Sequence, residues 1–201
     1  MKEINNNIRT MVLVGAWNMA IFSGEWVKNN ILEEDQSVNI QFPKIPNCSL
    51  KFDLDDFSFY IAGNQLCFEL KEYTENSGND AVGVCRKILQ TLPHTPVYSF
   101  GINFIYEDSD RADDEDTCTK KLVEFLGSSM VMKNVQRCFK LSESLVLNLS
   151  IAGNGNGGRR YDFNYDHTVN NITDVMNAFG DSNDIIDRLH RKSTDLLEEL
   201  K

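Results

Sequence analysis

The chain has 201 residues, of which 41% are hydrophobic and 25% are charged, so it can fill one ordinary globular core. Its 30 acidic and 20 basic side chains give a formal net charge of −10, and a surface of that sign repels nucleic-acid phosphates at long range. We therefore expect no direct binding to nucleic acid. No apolar run reaches the ~20 residues that a membrane-spanning helix needs, and we expect no membrane contact.

The cysteines favour a reducing compartment. They are odd in number and form no C-x-x-C pair, which argues against a disulfide framework and against a structural zinc site. We expect reduced thiols in a cytoplasmic protein that holds no metal and no other cofactor. The five are Cys48, Cys67, Cys85, Cys118 and Cys138.

The first half of the chain predicts one strand, one helix, four strands and a second helix. The apolar run 11–22 reads as the first strand, and the helix 24–32 follows the possible cap Ser23. Alternating residues then predict four strands, separated by turn residues. Their sequences are VNIQF, SLKFDL, FSFYIAG and LCFELKEY. The apolar stripe in 80–92 predicts the second helix, which Pro93 ends.

The second half repeats this order. Residues 97–108 alternate as a strand, the acidic stretch 107–116 reads as a loop, and 119–127 reads as a helix. Three alternating segments follow, with the sequences VQRCFKL, SLVLNLSIAG and RYDFNYDH. An apolar stripe in 184–200 predicts the closing helix.

The two halves resemble each other in sequence as well as in element order. The tetrad IAGN occurs at 61–64 and again at 151–154, and a similar offset relates VGAWN to FGINF. A fixed offset of this size is typical of internal duplication. We therefore predict one compact α+β unit made of two pseudo-repeats, approximately 1–95 and 96–201. Each repeat is strand, helix, three to four strands, helix, and together they form a mostly antiparallel sheet with helices on one face.

This element order resembles the duplicated saddle of the TATA-box-binding-protein-like fold, over nearly the whole chain. No sequence motif of that family is matched, so the resemblance concerns architecture alone. It implies helices on a convex side and an open, concave sheet beneath them. DNA binding is not implied, because the exposed positions here carry Asn, Ser, Asp and Glu rather than basic and wedge-forming aromatic residues.

The glycine-rich stretch 153–158 predicts the turn of a long hairpin. A phosphate-binding loop needs a helix directly after its glycines, whereas the residues that follow here alternate as a strand. Glycine supplies the positive φ angles that such a hairpin turn requires. A functional role for this insert stays open.

The polar residues of the strands predict a binding surface. In an antiparallel sheet that helices cover on one side, alternation places these side chains on the uncovered face. We expect this face to bind a protein or peptide, with a small ligand as the second choice. Arg159 and Arg160 could add contact with one anion. The predicted site contains no catalytic residue and consists of Asn103, Asn148, Ser150, Asp162, Asn164, Asp166, Arg159 and Arg160.

Two other functions stay open. One is a metal-dependent hydrolase or nucleotide-processing enzyme that uses Asp162 and Asp166 with the glycine insert, although alternation sends His167 to the opposite face. The other is an acidic decoy that occupies a nucleic-acid-binding protein. Exposed sheet edges also make a homodimer a possible assembly.

Overall fold

The computed structural model describes residues 2–4, 8–34, 36–43, 47–108, 134–153 and 158–199. The helix predicted over 119–127, most of the acidic loop and the centre of the glycine insert lie outside these ranges.

The described residues form ten strands and four helices, and the α+β class predicted from sequence is confirmed. The strands are β1 (Lys2–Glu3), β2 (Met11–Gly15), β3 (Asn39–Gln41), β4 (Lys51–Asp53), β5 (Phe57–Ala62), β6 (Gln65–Leu70), β7 (Val97–Asp108), β8 (Asn134–Lys140), β9 (Leu145–Gly153) and β10 (Arg159–Thr168). The helices are α1 (Gly24–Asn30), α2 (Glu75–Thr91), α3 (Ile172–Phe179) and α4 (Ile185–Glu199).

All ten strands belong to one sheet, in which nine follow the order β3-β4-β5-β6-β2-β7-β10-β9-β8 and β1 lies outside that order. The strand pairs that the structure records are antiparallel, including the central pair β2 and β7. The short strand β1 pairs with the far end of β7, where Glu3 lies opposite Tyr106. The N-terminus is therefore joined to the middle of the sheet.

Helix α2 begins five residues earlier than the apolar stripe predicted, because Thr74 and Ser77 form a capping box. The Thr74 hydroxyl accepts from the Ser77 backbone N–H at 3.0 Å, and the Ser77 hydroxyl accepts from the Thr74 N–H at 2.9 Å. Gly78 lies where a β-carbon would be 3.3 Å from the Ile186 side chain, so its small size lets α2 approach α4 closely. The first five residues of α2 are polar or glycine and carry no apolar period, so the stripe did not reveal them.

Helix α3 and strand β1 were not predicted. The Asn171 side chain caps α3 by accepting from the Asp174 backbone N–H at 3.1 Å, and Gly180 ends the helix at φ +70°. Phe179 of α3 packs edge-to-face on Phe100 of β7, with ring centroids 5.5 Å apart. The helix predicted over 184–200 is present as α4, and α3 precedes it in a segment for which no element was predicted.

The core lies between one face of the sheet and the helices. Odd-numbered residues of β10 from Tyr161 to His167 and even-numbered residues of β7 from Phe100 to Asp108 point into it and are buried, whereas Tyr98 at the start of β7 is exposed. Tyr165 reaches α4, where its hydroxyl lies 3.0 Å from the Ser193 hydroxyl. This alternation leaves the remaining residues of both strands on the second face of the sheet, which we call the open face.

Candidate functional site

A row of three asparagines crosses the open face on β7, β10 and β9. Asn164 lies directly opposite Asn103 on one side and Asn148 on the other. The Asn148 amide donates to the Asn164 oxygen at 3.0 Å, and the Asn164 amide donates to the Asn103 oxygen at 2.8 Å. The Asn103 amide donates in turn to the Arg9 carbonyl at 2.7 Å. All three residues were predicted for the site, and we call them the asparagine row.

Gly101 makes room for this row. A β-carbon at that position would lie 3.3 Å from the amide nitrogen of Asn164, tighter than most real contacts. The missing side chain lets the Asn164 amide lie flat across the neighbouring strand. The register of β7 against β10 therefore determines where the row can form.

A groove of about 490 Å³ runs beside the asparagine row. Its floor includes Asn103, Ile105 and Asn164, and Arg160 and Asp162 form one side. The opposite side is the N-terminal segment, through Ile4, Ile8 and Arg9. None of the described helices contributes a side chain to it, so the groove belongs to the open face.

The pairing of β1 and a contact between Glu3 and His190 hold Ile4 at the side of the groove. The Ile4 backbone N–H donates to the Ile105 carbonyl at 2.9 Å. Glu3 reaches the other face, where its carboxylate lies 3.0 Å from Nε2 of His190 on α4. The His190 ring stacks on Tyr73, with ring centroids 3.6 Å apart. The position of Ile4 therefore depends on contacts that span most of the sequence.

Arg9 connects the groove to the first half of the sheet. Its Nε donates to the Tyr60 hydroxyl at 3.2 Å and its Nη1 donates to the Gln65 side-chain oxygen at 2.7 Å. The Tyr60 hydroxyl donates to Glu69 at 2.6 Å, and Lys51 pairs with the same carboxylate at 2.5 Å. Burial, then the hydrogen bond to Glu69, raise the pKa of Tyr60, which therefore stays protonated and donating at neutral pH.

Arg160 and Asp162 form a pair on the other side of the groove. The Nε of Arg160 donates to the Asp162 carboxylate at 2.8 Å, and both side chains are partly exposed. They lie two residues apart on β10, so alternation places them on the same face. The contact fixes the direction of the Arg160 guanidinium along the groove.

The other predicted site residues lie outside the groove. Ser150 is on the open face, and its hydroxyl donates to Asn134 at 2.9 Å. Asp166 is half-buried on the same face, and this burial raises the pKa of its carboxyl group. Arg159 neighbours Arg160 in sequence and so lies on the opposite face, which means that the two arginines do not form one patch.

The geometry does not bring Asp162 and Asp166 to one metal ion. Four residues of extended strand separate their Cα atoms by roughly 13 Å, whereas a shared divalent ion must lie within about 2.6 Å of both carboxylates. Among the described residues, no three His, Cys, Asp or Glu side chains come together in a metal-binding group. The residue that follows the glycine insert enters strand β10, as the hairpin prediction requires.

His167 lies on the helix-covered face, away from both aspartates. Its ring stacks on Phe100 with centroids 4.4 Å apart, and its Nε2 is buried without a partner among the described residues. Burial and then the nearby Arg188 charge lower the pKa of His167 to about 4. It is therefore a neutral core residue at pH 7.

Arg9, Ile4, Ile8 and Ile105 are groove residues that the sequence analysis missed. The alternation of β7 could have indicated Ile105, since it shares a face with Asn103. The sequence around the other three shows no periodicity. No sequence signal predicts that β1 pairs with β7.

Comparison with known proteins assigns no family. No protein-family model matches the chain, and no curated protein matches it significantly in sequence. Within the described ranges, no helix combines the length and apolar character that crossing a bilayer demands.

Proposed function

We propose that this protein is a non-catalytic binding protein that holds a protein or peptide partner on the open face of its sheet. The groove beside the asparagine row is the centre of that surface. A small ligand is the second choice, because a volume of about 490 Å³ also fits one.

The observation that carries this proposal is the polar groove itself. Four of the residues predicted for a binding surface line it together, namely Asn103, Arg160, Asp162 and Asn164. Half-buried polar groups with hydrogen-bonding capacity fix the orientation of a bound chain, and the isoleucines beside them can bury apolar side chains.

The test is partner capture with a matched pair of variants. Asn148→Trp adds a large ring at the exposed end of the asparagine row, and Asn76→Trp makes the same change at an exposed position of α2. Each tagged protein is used to capture partners from the cells that naturally make it, with quantitative mass spectrometry as the readout. We expect Asn148→Trp to lose partners that the wild type and Asn76→Trp both retain.

Asn164→Leu provides a second variant at the centre of the row. It keeps the branched shape and the number of side-chain heavy atoms and removes both amide contacts. Thermal unfolding of every variant shows whether it is folded. Identical partner sets for wild type, Asn148→Trp and a folded Asn164→Leu would contradict the proposal.

We also propose that the chain arose by duplication and has the saddle-like arrangement of two related halves. The sheet order supports this: from the centre outward it reads β2, β6, β5, β4, β3 on one side and β7, β10, β9, β8 on the other. Strands β2 and β7 lie at the centre, each beside the last strand of its half. We expect the two halves of an experimental structure to superpose strand by strand in that order. Halves that do not superpose would contradict the proposed duplication.

Self-association through the sheet edge belongs to the same proposal. Among the described strands, β8 ends the sheet, and its Phe139 is 44% exposed. An edge strand offers backbone groups to a second strand, here that of another copy. Sedimentation velocity should give a dimer that Phe139→Lys weakens, and a monomer at every concentration would exclude it.

A further inference from the structure

We infer that the groove recognises a carboxylate on an extended peptide, with an aliphatic side chain next to it. This inference rests on the proposed function, because it names the chemistry of the partner that the same groove holds. It is argued from the hydrogen-bond donors of the groove, from its aliphatic side chains and from the charge of the molecule.

The two arginines leave most of their donors unused by the described residues. Each guanidinium carries five N–H groups and no acceptor. Arg160 uses Nε for Asp162, and Arg9 uses Nε and one Nη1 hydrogen for Tyr60 and Gln65. Both arginines are among the residues that line the groove, and both keep N–H groups for a ligand. Paired N–H groups of this kind match the two oxygens of a carboxylate.

The asparagine row adds further hydrogen-bond donors to the floor. Within the row, the oxygens of Asn103 and Asn164 each accept from the next amide, whereas each NH₂ group uses only one of its two hydrogens. The second hydrogens remain for a ligand. The amide oxygens keep unused lone pairs as well, so the row can bind an acceptor-rich or a donor-rich group, and the two arginines favour an anionic one.

The aliphatic residues of the groove decide which anion fits. Ile4, Ile8 and Ile105 are half-buried around the same space, so the ligand must bring carbon as well as oxygen. A bare phosphate leaves these three side chains in contact with water. An acidic residue beside a branched aliphatic residue in an extended chain satisfies both parts of the groove.

Because the whole molecule is acidic, the attraction for an acidic ligand is confined to the groove. The chain carries a net charge of −10, whereas the groove contains two arginines and one aspartate. An acidic partner is therefore repelled at long range and attracted only on contact. Moderate salt screens the repulsion over about 10 Å and weakens the close, half-buried contacts less.

The experiment is a titration of the full-length ¹⁵N-labelled protein, followed by NMR at pH 6.5. The probes are acetyl-Val-Glu-Val-amide, its Gln counterpart, and hexanoate as a free aliphatic acid. The side-chain NH₂ signals of Asn103 and Asn164 and the Nε–H signal of Arg160 report on the groove. We expect the Glu peptide to shift these signals saturably, with a Kd roughly tenfold lower than that of the Gln peptide.

Three variants test the chemistry. Arg160→Gln should abolish the preference for Glu over Gln, whereas Arg188→Gln removes an exposed arginine of α4 and should preserve it. Asp162→Asn removes the competing carboxylate and should tighten binding of the Glu peptide. Thermal unfolding of each variant confirms that it is folded before titration.

The outcomes separate the two proposals. Equal affinity for the Glu and Gln peptides, or a preference that survives Arg160→Gln, overturns the carboxylate inference and leaves the proposed function intact. If hexanoate binds as tightly as the Glu peptide, the inference that the carboxylate belongs to an extended peptide is wrong. Failure of both peptides to shift the groove, while Asn148→Trp still abolishes partner capture, likewise overturns only this inference. Failure of both assays removes the proposed function as well.

Discussion

Replacing His167 with Phe should make the stability of the protein less sensitive to acid. The ring is 8% exposed and stacks on Phe100, and its Nε2 has no partner among the described residues, so Phe keeps the stacking and loses no recorded hydrogen bond. In the native protein the pKa of His167 is lowered from 6.5 to about 4 by burial and by Arg188. The unfolded chain therefore takes up this proton first as the pH falls.

The size of the effect follows from the two pKa values. Stability from the neutral ring is fully present above pH 6.5 and is lost as the pH falls toward 4. At pH 5, protonation favours the unfolded chain by a factor of roughly 30, which corresponds to about 2 kcal/mol. At pH 7.5 the destabilisation caused by protonation is close to zero.

Urea unfolding at pH 7.5 and pH 5.0, followed by circular dichroism, measures this difference. His94 and His190 are present in both proteins, so their effects cancel when the two pH-dependent changes are subtracted. We expect wild type to lose about 2 kcal/mol more than His167→Phe between the two pH values. Equal losses would show that His167 is not a neutral, buried residue in the native state.

Three further predictions concern the open face and a helix cap. Asn164→Leu should lower the free energy of unfolding by about 1–2 kcal/mol in urea titrations, since two side-chain hydrogen bonds are lost; no change would mean that the row is not formed. Asp166→Asn should raise the melting temperature at pH 7, because burial disfavours the charged carboxylate, and calorimetry should find the gain absent at pH 3, where both side chains are neutral. Thr74→Ala should cost about 1 kcal/mol by removing the α2 cap, and unchanged unfolding in urea would contradict that role.

Alternation in the sequence predicts most of the strands and part of the site. The period of two in β10 places Asp162, Asn164 and Asp166 on one face, and the structure has them there. The same period also places Arg159 and Arg160 on opposite faces, so the prediction that both contact one anion did not follow from the pattern. The local pattern therefore predicts on which face of the sheet a side chain lies.

The remaining features depend on contacts between distant residues. Ile4 reaches the groove because β1 pairs with β7, about 100 positions along the chain, and no local pattern encodes that pairing. Helix α3 spans only eight residues, and its Asn171 cap resembles an ordinary turn signal in a sequence rich in asparagine. Gly78 looks like a helix breaker until Ile186 is seen to pack against it.

Site-specific photo-cross-linking tests the central proposal most directly. p-Benzoylphenylalanine is placed at Asn148 on the open face or at Asn76 on α2, and each protein is irradiated with its captured partner. We predict a covalent product with the partner from position 148 and none from position 76. A product from position 76 alone would contradict binding on the open face.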